Sequence, residues 1–267
     1  MDKTTVFIAD SLVLFREGIH FTLSQTDEFE IIGETVGNEE GLDFIEKESP
    51  AIAILAFNSQ NPSDLKIVRK IKQTGPGVRI VFIINENDDE QRFIALKGGV
   101  SACINRVMDT EEVLNIARKV ARGESPISQA LLEPDIALRT ILEFEDSARL
   151  NQEVGNVLAE LTPAEKQILQ QIGTGALPEE IVQVINETEE KVRQHMDAIF
   201  FKLNANDRVR EVVDTIRENL DVSISRISST LGRNNENKAY VTREEFDQFK
   251  IELVGRIKSV LGDLIGT

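Results

Sequence analysis

The chain has 267 residues, is 41% hydrophobic and carries a formal net charge of −16. That length admits two domains and a helical extension, while no apolar run approaches the roughly eighteen residues of a membrane span and the opening residues are too polar for a secretory signal. A single cysteine, Cys103, has no mate for a disulfide, so a cytoplasmic setting without membrane attachment is expected.

The first 125 residues alternate two patterns. Short apolar runs at 5–9, 29–35, 51–57, 78–84 and 101–105 read as strands, and helix-period segments follow near 14–24, 39–47, 64–73, 88–97 and 110–122. Strands that are apolar on both faces predict a doubly wound, five-stranded parallel sheet, an α/β domain over residues 1–125. Ligand sites in such sheets form at the carboxyl ends of the strands, near the reversal of strand order. Those ends are Asp10 and Ser11, Ala56 and Phe57, Ile84 and Asn85, and Asn105 and Arg106.

Residues 126–160 read as a helical linker. Pro134 suits a first helical position, and Leu150, Val154, Val157 and Leu158 continue at helical spacing. From Leu161 the pattern changes to short helices at 162–172, 178–185 and 189–203, with a capping box at Thr162 and Glu165 and an N-cap at Thr188. The last two are joined by three residues, the proportions of an all-α helix-turn-helix domain over 161–217. That domain holds 7 basic and 10 acidic side chains, so any DNA contact must come from a local patch.

Residues 218–267 form a C-terminal helical extension. Val209, Val213, Ile216, Leu220, Ile224, Ile227 and Leu231 recur at spacings of three and four, so the preceding helix is expected to reach about residue 231. After GRNNENK (232–238), Thr242 and Glu245 open another amphipathic helix whose stripe runs from Phe246 to Leu264. The pair reads as a hairpin that buries its stripe either in its own domain or against a second copy.

The stretches VFIADSLVLFREGI (6–19), LKGGVSACINR (96–106), LTPAEKQILQQIGTG (161–175) and KVRQHMDAIFFKLNANDR (191–208) resemble a response regulator of the NarL/FixJ type: a receiver domain followed by a LuxR-type helix-turn-helix. The resemblance spans about residues 3–217 and is most specific over 161–208. It implies an acid pair holding Mg²⁺ after the first strand, yet Asp10 is followed by Ser11. Ala56 stands where it implies the phospho-accepting aspartate, Ile84 where it implies a hydroxyl, Cys103 at the aromatic switch and Arg106 at the phosphate-pairing lysine. Phosphoryl transfer needs a carboxylate nucleophile and a cation to neutralise the developing charge, and one carboxylate beside a serine makes a poor Mg²⁺ site. Asp10 is therefore expected to cap the next helix or to pair with Arg106.

The resemblance further implies that the helix near 189–203 enters the major groove of double-stranded DNA. Lys191, Arg193, Gln194, His195 and Lys202 are its candidate contacts: Arg193 for a base or phosphate, Lys191 and Lys202 for phosphates. Arg208 reads as structural, at the start of a fourth helix and within reach of a pair with Asp207 or Asp197. Glu179, Glu180, Glu189 and Glu190 open the two helices, where acids complement the helix dipole but would repel phosphates that they faced. No phosphate loop, metal cluster or nucleophile–base pair is present, so neither an enzyme nor a cofactor is expected. The expectation is a phosphorylation-independent transcriptional regulator acting as a homodimer or larger oligomer, with the receiver-like domain available to a protein partner. The alternative is a protein-interaction or scaffold protein whose helix-turn-helix has lost DNA affinity.

Overall fold

A computed structural model describes residues 3–58, 62–75, 77–85, 88–154 and 156–231. The strands are β1 (Thr4–Ala9), β2 (Phe29–Thr35), β3 (Ile52–Ala56), β4 (Arg79–Ile84) and β5 (Ala102–Asn105). They form one all-parallel sheet in the order β2-β1-β3-β4-β5. The helices between and after them are α1 (Val13–Ser24), α2 (Asn38–Glu48), α3 (Pro62–Thr74), α4 (Asp89–Lys97) and α5 (Thr110–Ala121). The chain steps one way from β1 to β2 and the other way from β2 through β5. Right-handed crossovers then place helices on opposite faces of the sheet, the doubly wound arrangement expected from the two-sided apolar strands.

Both faces are buried. On one, Val6, Ile8, Ile54, Val81 and Ile104 pack with Ile19 and Leu23 of α1 and Val113, Ala117 and Val120 of α5. Pleating sends the intervening residues to the other face. There Phe7 stacks on Phe44 at 5.2 Å and Phe57 on Phe82 at 4.3 Å. The first pair lies on Gly33 and Gly41, where a Cβ would come within 2.6 Å of a ring carbon, so those two positions admit no side chain without repacking the rings.

A 3-10 turn (Pro126–Leu132) leads into α6 (Pro134–Val154), followed by α7 (Pro163–Gly173), α8 (Pro178–Ile185) and α9 (Glu189–Leu231). By internal contacts the chain forms two units: residues up to Ile141 together with Leu161–Asn204, and Leu142–Glu160 together with the chain from Ala205. In the first, Arg92 of α4 grips Glu133 with bonds of 2.6 and 2.7 Å, while Arg139 of α6 pairs with Glu90 at 2.6 Å and lies 4.5 Å over the Phe93 ring.

In the second unit, Leu158 packs with Val209 and Val213. Two amides hold the segment that carries it. Asn151 accepts from the Leu158 N–H at 2.8 Å and donates to its carbonyl at 3.0 Å. Asn206 does the same for Ala159, at 2.7 and 2.9 Å. Arg210 donates to the Glu143 carbonyl at 3.0 Å and to Ser147 Oγ at 2.9 Å. The helical spacing read through Val157 and Leu158 is thereby corrected: α6 ends at Val154, Asn156 turns into the left-handed region at φ 59°, and Val157 and Leu158 lie beyond the helix.

α9 reaches Leu231, as the spacing of the apolar stripe predicts, but it is one 43-residue helix from Glu189 onward. The expected break before a fourth helix at Arg208 is absent. No glycine or proline lies between Glu189 and Leu231, and Asn204, inside the helix, donates from its side chain to the Phe200 carbonyl four residues back. The helix read from Thr242 to Leu264 lies outside the described residues.

Candidate functional sites at the strand ends and on the long helix

The carboxyl ends of the strands form an open polar cleft of about 540 Å³, lined by Ser11, Ala56, Asn58, Asp64, Gln91 and Arg106 among others. Asp10 lies beneath it, fully buried. Its Oδ1 accepts from the Leu12 N–H at 2.8 Å, and Arg106 clamps both oxygens, Nη1 to Oδ2 at 2.6 Å and Nη2 to Oδ1 at 3.2 Å. The guanidinium also lies 4.9 Å over the Phe15 ring. Arg16 donates to the Asp10 carbonyl at 2.6 Å and pairs with Glu34 at 3.1 Å; His20 meets the other oxygen of Glu34.

The structure thus brings together Asp10 and Arg106, with Ser11 and Ala56 at the rim. Ile84 is buried at the end of β4. A second acid at this cleft, Asp64 of α3, escapes a reading of strand ends because it sits in a helical first turn. Its oxygens accept from the Asn38 amide at 3.0 Å and the Asn58 N–H at 2.9 Å, while Asn38 also donates to the Ala56 carbonyl at 2.6 Å. Gln91, likewise unanticipated, accepts from the Asn85 N–H at 3.0 Å.

These residues do not fit a Mg²⁺ ion. The one carboxylate at the end of β1 is neutralised by a two-pronged arginine, both Asp64 oxygens are engaged, and Ser11 and Ala56 bring no carboxylate. Nor is there a nucleophile at Ala56. Cys103, half-buried on β5, is no substitute, since burial pushes its thiol up to about 12. Exposed apolar side chains sit on the loops and first helical turn at this end of the sheet: Leu12, Val13, Leu14, Val36 and Val107, with Leu14 90% exposed.

The second candidate site is the first half of α9. Asn186 ends α8 in the left-handed region (φ 53°), and the Thr188 hydroxyl caps α9 by accepting from the Lys191 N–H at 3.3 Å. Val192, Met196, Ile199 and Leu203 are buried, which fixes the inner face. Phe200 is half-buried, and Phe201 is 73% exposed. On the outer side Lys191, Arg193 and Gln194 are exposed. Lys191 pairs with Glu187 at 3.5 Å, Gln194 reaches Glu190 at 3.5 Å, and His195 stands 3.8 Å from Glu187.

Lys202 is placed otherwise than its spacing suggests. Glu165 and Thr162 form the expected capping box on α7, and Lys202 donates to both Glu165 oxygens, at 2.9 and 2.7 Å. With Glu165 buried, the ammonium is bound as the internal partner of that carboxylate. A phosphate contact by Lys202 would have to compete with this pair. Arg208 is exposed in mid-helix and makes no ion pair with another described residue.

Within the first unit the α8–α9 pair faces the strand domain. A Cβ at Gly173 would meet Leu138, and one at Gly99 (φ 71°) would meet the side chain of Asn204. Between the end of α5 and the 3-10 turn on one side and α8 and α9 on the other lies an open cleft of about 880 Å³, and Arg193 lines it.

No family model matches the chain. Relatives with known names do. It is 25% identical to the transcriptional regulatory protein DegU of Brevibacillus brevis, over 81% of this chain and 94% of that protein. It is 26% identical to the nitrate/nitrite response regulator protein NarL of Escherichia coli, over 79% and 94%, and 24% identical to the response regulator protein VraR of Staphylococcus aureus, over 80% and 97%. Among solved structures, the receiver domain of a NarL from Mycobacterium tuberculosis aligns with 46% of this chain and all of its own, at 20% identity and a TM-score of 0.44.

Proposed function

We propose that this chain, similar along four-fifths of its length to response regulators of the NarL/FixJ type, is a DNA-binding transcriptional regulator that works without phosphorylation. In this reading residues 1–125 are a receiver-like domain without phosphoryl chemistry, 126–160 a linker, 161–217 the LuxR-type DNA-binding domain and 218–267 an extension that favours a homodimer or larger oligomer. The observation that carries it is the exposed edge of Lys191, Arg193 and Gln194 on a helix that follows a three-residue turn. Arginine and glutamine at such an edge can read guanine and adenine in the major groove, and lysine can hold a phosphate. His195 lies at the margin of this edge.

The loss of phosphoryl chemistry rests on Ala56 and on the Asp10–Arg106 clamp. Signals then arrive by contact, and the apolar rim from Leu12 to Leu14 with Val36 and Val107 suits a protein partner. Arg193, exposed on this edge, also lines the cleft against the strand domain.

The test is selection of bound sites from random duplex DNA by the full chain at low salt. An enriched motif whose affinity falls steeply with salt, and falls further in R193A, is the expected result. Failure to enrich any motif would favour a scaffold role. Exposed Phe201, Leu177 and Val184 on the helix-turn-helix give that second reading its specific support.

A further inference from the structure

The cleft beside α9 has a composition that the DNA reading does not use. Its apolar surface comes from Leu132 of the 3-10 turn, Val182 of α8, and Val192, Met196 and Phe200 of α9. Around it stand two cations, Lys119 and Arg193, and two anions, Glu189 and Asp197. None of these four side chains makes a hydrogen bond or ion pair with another described residue. In contrast, Glu124 on the same rim is bonded to Arg122 at 2.8 Å. Its 880 Å³ falls within the range of small-molecule sites.

Balanced charges of both signs beside an apolar surface select for a particular ligand. A bare anion would meet Glu189 and Asp197, and a bare cation would meet Lys119 and Arg193. A neutral apolar molecule would leave all four unused. A molecule with a separated ammonium and carboxylate and apolar side groups can satisfy both signs while covering Met196 and Phe200. We propose that this cleft is a binding site for a short apolar peptide with free termini. Such a ligand would engage Arg193 and hold α9 to the strand domain. The consequence for DNA rests on the function proposed above, whereas the site itself is tested without nucleic acid.

Calorimetric titration of the full chain with the dipeptide Leu-Leu is the direct experiment, run beside N-acetyl-Leu-Leu-amide, which lacks both charges. Saturable binding of Leu-Leu is expected, with the blocked peptide at least about tenfold weaker, the factor that corresponds to losing one charged contact. S128W, which fills the cleft from the 3-10 turn, should abolish binding. E189Q/D197N, altered only at exposed positions, should weaken it about tenfold or more and keeps the test open if S128W fails to fold. Absence of Leu-Leu binding, equal affinity for the blocked peptide, or full affinity in E189Q/D197N would overturn the proposal.

Discussion

Lys202 donates to both carboxylate oxygens of Glu165, at 2.9 and 2.7 Å, joining the start of α7 to the first half of α9. Only 3% of the Glu165 side chain is exposed, against 23% for Lys202, so the acid depends on the pair more than the base does. Replacing Lys202 by alanine should cost about 2–3 kcal/mol by stranding a buried carboxylate. Once the loss of folded protein is allowed for, the salt dependence of DNA affinity should change little. R193A should do the reverse, leaving the urea midpoint unaltered and lowering the salt slope by about one. Denaturation and salt titration of the two variants side by side check this.

The buried Asp10 carboxylate and the partly exposed Arg106 guanidinium are similarly unequal partners. R106A leaves the carboxylate in the interior with only the Leu12 N–H donating to it among the described residues, and should lose about 3–5 kcal/mol. D10N releases a guanidinium that water can reach and should lose less. Urea unfolding of both variants gives the order, and equal losses would contradict it.

Introducing a nucleophile should not confer phosphorylation on this cleft. A56D puts a carboxylate at the end of β3, but Arg106 still fills Asp10 and Ser11 still supplies no second acid. Intact mass after acetyl phosphate treatment should be unchanged for the wild type and for A56D.

Asn151 and Asn206 grip adjacent residues of one segment, Leu158 and Ala159. Each alanine substitution should cost about 1–3 kcal/mol. The double variant should cost less than the sum by about 0.5 kcal/mol or more, because the first loss already frees the segment that the second holds. Thermal melts of the four proteins in the cycle measure this.

With its thiol held at about 12, Cys103 carries almost no thiolate at pH 8. Alkylation by iodoacetamide should be about 10³-fold slower than for a free thiol in the native protein and should accelerate on unfolding in urea.

The parts legible in the sequence are those governed by local periodicity. The five strands, their helices and the caps at Thr162 and Thr188 follow from alternation and N-cap chemistry. The Asp10–Arg106 contact spans 96 positions, yet it was readable because parallel sheets bring strand ends together. Lys202 was not: its helical position suggests an outward charge, and only the packing of α7 on α9 supplies Glu165. Asp64 was hidden for a like reason, since it reaches the cleft from a first helical turn. The continuity of α9 agrees with its lack of glycine and proline, whereas the resemblance implies a separate fourth helix.

The clamp at Asp10 also bears on how this cleft could change. A substitution that removes Arg106 strands a charge in the interior, and an acid introduced at Ser11 or Ala56 stands beside one whose arginine is already engaged. Each such step toward a phosphate acceptor should therefore lose stability before any gain in activity could reward it. The cleft favours change in what it touches over change in what it transfers.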